Sequence, residues 1–211
     1  MTKKQNVHTW NTLTEGKNMS DKQLRPEIIV FAGPNGSGKS TITKLAKTVG
    51  IYINADEIKR ANHCTDLEAA QKAEKLREEA VRNKADFTFE TVLSTRRNLD
   101  LLIRAKQLGY FIRCFYVLTA NVEVNITRVR IREMQGGHGV PEEKIRSRFD
   151  RALNLIPELT EVCDILHIYD NTNEPQRIFK KRKTKYFRWP NNNWNEEAIS
   201  QLTGIKEETF E

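Results

Sequence analysis

An α/β fold on a mostly parallel five-stranded sheet flanked by helices is what the sequence predicts, and three features predict it. Apolar strand-like segments alternate with helix-like ones from Glu27 onward, the pattern of strands joined by crossover helices. A glycine-rich stretch, FAGPNGSGKST, follows directly on the apolar run Ile28-Ile29-Val30. Acidic residues stand where strands end, the edge of an open α/β sheet at which ligands gather.

In chain order, the first strand is 28–32, and the glycine-rich stretch leads from it into a helix over 39–49. A second strand over 51–54 runs into INADEIKR, and a helix follows over 67–83. The third strand, 86–90, carries Phe87 and Phe89 and ends in Glu90. A helix over 95–108, a long strand over 110–118 and a helix over 122–134 come next. Pro141 followed by Glu142 and Glu143 marks the entry of a helix over 141–155. There Ile145, Phe149, Ala152 and Ile156 fall at i, i+4, i+7 and i+11 on one core-facing stripe, with Ala152 small enough for close packing. The fifth strand is 164–169. Residues 174–211 add a basic strand-like stretch through Trp189, the turn PNNN and a short helix over 194–202, an edge addition to the same domain. Residues 1–25 are polar and unpatterned, and Met19 just before the fold marks 1–18 as a dispensable arm. The expected organisation is therefore an arm at 1–25, one domain at 26–173 and the C-terminal addition, with no repeat and no linker that demands a second domain.

The 211 residues hold no apolar run near the ~20 that a membrane span needs. No apolar leader with a small-residue cleavage site opens the chain. Cys64, Cys114 and Cys163 are widely spaced and unpaired in sequence, which suits a reducing cytoplasm without disulfides or zinc. The net charge of +7 gathers in two places, Arg128–Arg151 and the run Lys180-Lys181-Arg182-Lys183-Thr184-Lys185. The first reads as a phosphate clamp and the second as a solvated strand or turn.

Gly33 through Ser40 fits G-x-x-x-x-G-K-[ST] between a strand and a helix, the context that motif requires. Glycines let successive backbone N–H groups turn toward phosphates, and the helix that follows adds its positive end. Gly33, Pro34, Asn35, Gly36, Ser37, Gly38, Lys39, Ser40 and Thr41 are thus the expected nucleotide-binding set. Lys39 reaches the β- and γ-phosphates of ATP, and the Ser40 hydroxyl binds Mg²⁺. Asn83-Lys84-Ala85-Asp86 matches a guanine-recognition motif in letters but precedes a strand, and it is read as chance.

Asp56, just past the second strand, either accepts the proton of an attacking hydroxyl or caps the helix that follows. Glu90 is costly to bury behind two phenylalanines without a partner, which places it at Mg²⁺ or a substrate hydroxyl. Asp170-Asn171 either faces the nucleotide base or starts a turn. The segment 121–156 reads as an arginine-rich helical lid hinged at Gly136-Gly137, in which Arg128 and Arg132 share one face and Lys144, Arg148 and Arg151 another. Arg130 and Arg146 read as exposed helix surface, and His138 as structural.

In order along the chain, AGPNGSGKST, NADEI, FTFETVLS, RVRIREMQGGHGVPEEKIRSRF and IYDNT resemble the zeta-toxin-like P-loop kinases, over residues 28–172. The resemblance implies a P-loop kinase domain and an ATP- and Mg²⁺-dependent phosphotransferase of the toxin–antitoxin type. Its founding members phosphorylate UDP-N-acetylglucosamine. It implies Lys39, Asp56, Arg128, Arg132 and Arg148 as catalytic residues, with Asp56 the base. Glu90, Thr91, Ser94 and Arg151 are implied at the substrate, Ser40 at the metal, and a separate polypeptide as any antitoxin. The chain departs from the founders after Glu90, where their Gly-Thr-Gly-Arg is replaced by Thr91-Val92-Leu93-Ser94. The expected acceptor is a nucleotide conjugate, with neither nucleic acid nor membrane as partner. The alternative is a nucleic-acid-associated NTPase or polynucleotide end-kinase that uses the basic surface with Tyr186, Phe187 and Trp189.

Overall fold

The computed structural model describes residues 25–211, so the arm up to residue 24, Met19 included, lies outside the described residues. β1 (Glu27–Ala32) is buried along its whole length, as expected of a central strand covered on both faces. Around it lie β2 (Ile51–Ile53), β3 (Phe87–Thr91), β4 (Phe111–Leu118) and β5 (Ile165–Asp170), all parallel. The sheet continues into an antiparallel hairpin, β6 (Gln176–Arg182) and β7 (Lys185–Arg188), in the order β2-β3-β1-β4-β5-β6-β7. The sheet is therefore mixed and seven-stranded, two strands wider than expected. Both added strands come from the C-terminal segment, whose β6 pairs directly with β5.

One sheet face packs on α3 (Asp66–Arg82), α4 (Arg96–Gln107), α7 (Ile156–Val162) and α8 (Glu196–Thr203) around Ile28, Val30, Phe87, Phe89, Cys114, Tyr116 and Leu166. The other face gathers Ile29, Phe31, Phe115, Val117 and Tyr169 with Ile42 of α1 (Lys39–Thr43). That helix is shorter than the 39–49 expected. The N–H groups of Leu45 and Ala46 bond three residues back, to Ile42 and Thr43, so the chain tightens into a turn.

α2 (Ala55–Asn62) is capped by Asn54 and α3 by a reciprocal box of Thr65 and Glu68. α5 (Val122–Met134) and α6 (Glu142–Asn154) share a small cluster of their own, Ile126, Val129 and Ile145. The predicted stripe of α6 is buried at Ile145, Phe149 and Ala152, whereas Ile156 opens α7, where Pro157 restarts the helix. In the basic run, Lys183 takes a positive φ at the β6–β7 turn, and Lys181 points inward to donate to Thr160 O and Glu161 O at 2.6 and 3.0 Å. Among the described residues no helix is long and apolar enough to cross a membrane.

Parallel β1/β3 pairing and the crossing to β4 put a topological switch at the carboxyl end of β1. The site is built there. Phe89 anchors this end of β3: it is fully buried, stacks on Phe87 at 5.9 Å and lies under the Arg77 guanidinium at 5.3 Å. Phe89→Ala is expected to lower unfolding free energy by about 3–5 kcal/mol, read from denaturant titration, because it leaves a cavity and strips that guanidinium of its ring.

Candidate active site

The loop from Gly33 to Ser40 is held from two sides. Asn125 of α5 donates from Nδ2 to Asn35 O at 2.6 Å, and Asn171, after β5, donates from Nδ2 to Ser37 O at 2.7 Å. Asn125 is itself fixed by the Thr119 hydroxyl. The approach is so close that only glycine fits: a Cβ on Gly36 would lie 2.4 Å from Asn125 O, and one on Gly38 would lie 2.1 Å from Asn171 Nδ2. Both positions also have positive φ, +78° and +90°. Thr41 closes the first turn onto Gly38 O at 3.0 Å.

Lys39 opens α1 and curls back over the loop, donating from Nζ to Gly33 O at 2.7 Å and Pro34 O at 3.1 Å. Burial lowers its pKa to about 8; the negative charges of Glu90 and Asp56 oppose that shift, and Arg132 adds to it. The ammonium thus sits in an electrostatic balance with the other charges of one cleft. That cleft, of about 700 Å³, is lined by the loop, by Ser40, Thr43 and Lys44, by Tyr52, Asp56 and Arg60, and by Glu90, Arg128 and Arg132.

Asp56 lies in the first turn of α2, but the cap is Asn54, whose Oδ1 accepts from the Asp56 N–H at 2.9 Å. The Asp56 carboxylate has no hydrogen-bond partner among the described residues and is left to the cleft. Glu90 is half-buried, and two hydroxyls satisfy it: Thr43 Oγ1 and Tyr52 OH both donate to Oε1, at 2.9 and 2.5 Å. The second oxygen, Oε2, remains for the cleft. Burial and then this bond push the Tyr52 phenol far up, so it stays a donor.

Arg128 and Arg132, on one face of α5, both line the cleft. Arg128 is braced by Asn171 O and Thr172 O at 2.7 and 3.0 Å. Arg148 reaches from α6 to Asn35 Oδ1 at 3.3 Å, at the tip of the loop. Arg151 does not come to the site; it is exposed and bonds Ser147 O on its own helix. Thr91 and Ser94 lie outside the cleft lining, and the Thr91 hydroxyl accepts from Leu93 N and Asn98 Nδ2. Arg130 and Arg146 are exposed and paired with Glu142 and Glu123. Asp170 is structural: Thr172, Asn191 and Asn193 all donate to its carboxylate.

Sequence reasoning missed Thr43, Tyr52, Lys44, Arg60 and the Asn125 clamp. Tyr52 carried a signal in the alternation of IYIN, which sets it on the opposite face from Ile51 and Ile53. Nothing in sequence marked Asn125.

The zeta toxin family model matches residues 10–184. An uncharacterized protein of Haemophilus influenzae is 29% identical over 132 residues, which cover 60% of this chain and 94% of that one. The fold is similar to a structure of the PezAT chromosomal toxin–antitoxin system of Streptococcus pneumoniae, with a TM-score of 0.58, 16% identity, and coverage of 95% of this chain and 86% of that one. It is also similar to AvrRxo1-ORF1:-ORF2 solved with ATP, with a TM-score of 0.62, 15% identity, and coverage of 93% and 70% respectively. With a family match over most of its length and a phosphate loop set against two cleft acids, the chain belongs to the zeta toxin family of P-loop kinases.

Proposed function

We propose that this kinase transfers the γ-phosphoryl group of ATP to a hydroxyl of a phosphate-bearing acceptor, a nucleotide conjugate such as a UDP-sugar or, second, a dinucleotide. The observation that carries this reading is the convergence of Lys39, Asp56, Glu90, Arg128 and Arg132 on one cleft beside the phosphate loop. A nucleoside triphosphate on the loop would supply the negative charge that a buried ammonium lacks. Lys44 and Arg60 line the same cleft and leave cationic charge for a second anionic ligand. Solution of AvrRxo1-ORF1:-ORF2 with ATP supports the choice of donor.

The acceptor oxygen forms a bond to the γ-phosphorus while the bond from that phosphorus to the β,γ-bridging oxygen breaks, releasing ADP. The hydroxyl proton passes to the Asp56 carboxylate and then to water. Glu90, held through Oε1 by Thr43 and Tyr52, offers Oε2 to orient the acceptor hydroxyl. Lys39, Arg128 and Arg132 neutralise charge as it moves to the leaving ADP.

The cleft suits Mg²⁺, because the Ser40 hydroxyl offers it a hard oxygen donor beside the phosphate loop. Among the described residues no cluster of three His, Cys, Asp or Glu could cage an ion alone, which matches a metal held partly by phosphates. Ser40 would hold it, and when bound it would neutralise phosphate charge.

The helical pair α5 and α6 acts as the lid in this reading. A separate antitoxin polypeptide is the expected partner, as in the PezAT toxin–antitoxin system.

The test is a panel of UDP-N-acetylglucosamine, other UDP-sugars, NAD, short RNA and uncharged sugars, each with ATP and Mg²⁺. Phosphate is expected on a nucleotide conjugate. Phosphate on RNA ends alone would replace this reading with a polynucleotide kinase. Lys39→Ala is expected to fold normally and lose on the order of 10²- to 10³-fold in phosphoryl transfer, measured with labelled ATP. Asp56→Asn keeps ATP affinity within about twofold, by calorimetry, while turnover falls on the order of 10²- to 10⁴-fold, because the amide keeps the shape and cannot take the proton.

A further inference from the structure

The Gly-Gly-His stretch after α5 is not used by the chemistry above, yet it stands directly behind one of the cleft arginines. α5 ends there in a paired stop: Gly137 N–H donates to Arg132 O and Gly136 N–H to Glu133 O, both at 2.9 Å. This is the double bond pattern of a Schellman cap, with Gly136 at φ +81° in the left-handed position. The two glycines are needed for different reasons. A Cβ on Gly136 would meet nothing within 4 Å, so that position is glycine for its backbone angle alone. Gly137 has no such angle, but a Cβ there would lie 2.7 Å from Arg132 Cγ and 2.8 Å from Arg132 O. Neither atom is the loose end of a side chain, so the residue that would have to move is Arg132 itself.

The turn also holds the far end of the same side chain. Arg132 Nη2 donates to His138 O at 2.6 Å. His138 is tied outward, its Nε2 3.6 Å from Asp66 Oδ2 at the start of α3. Arg132 is therefore fixed at its carbonyl by Gly137, at its guanidinium by His138 O, and at its Cγ methylene by the space that Gly137 leaves. It lines the cleft in that posture, close enough to bear on the charge of Lys39.

We propose that Gly137 is a positioning residue for Arg132: the missing side chain at Gly137 is the slot in which the base of Arg132 lies, and the turn aims the guanidinium into the phosphate cleft. The effect on phosphoryl transfer rests on the phosphotransferase reading, but the positioning does not.

The experiment compares G137A, G136A, R132A and the G137A/R132A double variant in the full chain. Residues 136–138 are exposed, so both alanines leave the core packing intact, and melting curves are expected to show modest losses for each. The first readout is the Arg132 Nε–Hε resonance in a ¹⁵N-labelled sample, assigned by its loss in R132A. It is expected to shift or broaden in G137A and to stay in place in G136A. The second readout is ATP turnover with Mg²⁺. G137A is expected to fall about tenfold or more, toward the R132A rate, while the double variant falls no lower than R132A and G136A stays within about twofold of the parent. An unmoved Arg132 resonance in G137A, or a double variant that shows the full product of both losses, would overturn the proposal. Failure of the parent protein itself to turn over ATP would count against the phosphotransferase reading, with the resonance still deciding the positioning.

Discussion

The whole site depends on two asparagine amides that grip the main chain of the phosphate loop. Asn125 and Asn171 arrive from elements far apart in sequence and donate to Asn35 O and Ser37 O. Their grip requires an approach that no side chain at Gly36 or Gly38 would permit. The loop glycines therefore answer to the protein's own packing as well as to phosphate. The carbonyls are turned toward the clamps and the lysine, which leaves backbone N–H groups for an anion.

Lys39 shows the electrostatic consequence. Even a partly buried ammonium is costly, and burial lowers the Lys39 pKa to about 8. Asp56 and Glu90 offset it from across the cleft, while Arg132 opposes them. Such a balance leaves the site short of negative charge on the side where the loop opens, and a polyphosphate fits that need. The two acids are also held differently. Glu90 is pinned by Thr43 and Tyr52, whereas the Asp56 carboxylate has no hydrogen-bond partner among the described residues. A pinned carboxylate suits orientation, and an unshared one suits proton acceptance.

The arginines divide by what occupies their guanidinium groups. Arg130 and Arg146 spend theirs on Glu142 and Glu123 at the surface, where such pairs contribute little. Arg128 is braced on the backbone after β5, and Arg132 on the turn that follows its own helix. Arg148 reaches the loop tip, and Arg151 stays on α6. Spacing along a helix separates faces, but it does not say which face meets the cleft.

Much of this was legible in the sequence, because local chemistry is written locally. The alternation of strands and helices, the strand–loop–helix context of Gly33–Ser40, the strand-end acids Asp56 and Glu90, and the shared face of Arg128 and Arg132 all follow from periodicity and spacing over a few residues. Three things came only from tertiary structure. The strand-like stretch expected as an edge addition became two strands, β6 and β7, with β6 on the free edge of β5, and an edge is defined only once the other strands are in place. Tyr52 reached Glu90 because β2 pairs in parallel with β3, Tyr52 opposite Thr88, across an intervening pair of helices. Asn125 and Asn171 became the clamps of the loop through hydrogen bonds spanning 90 and 134 residues of chain. A motif records which groups the chemistry needs. Which groups hold them still is decided by contacts between residues remote in sequence, for which a single sequence carries no spacing to read.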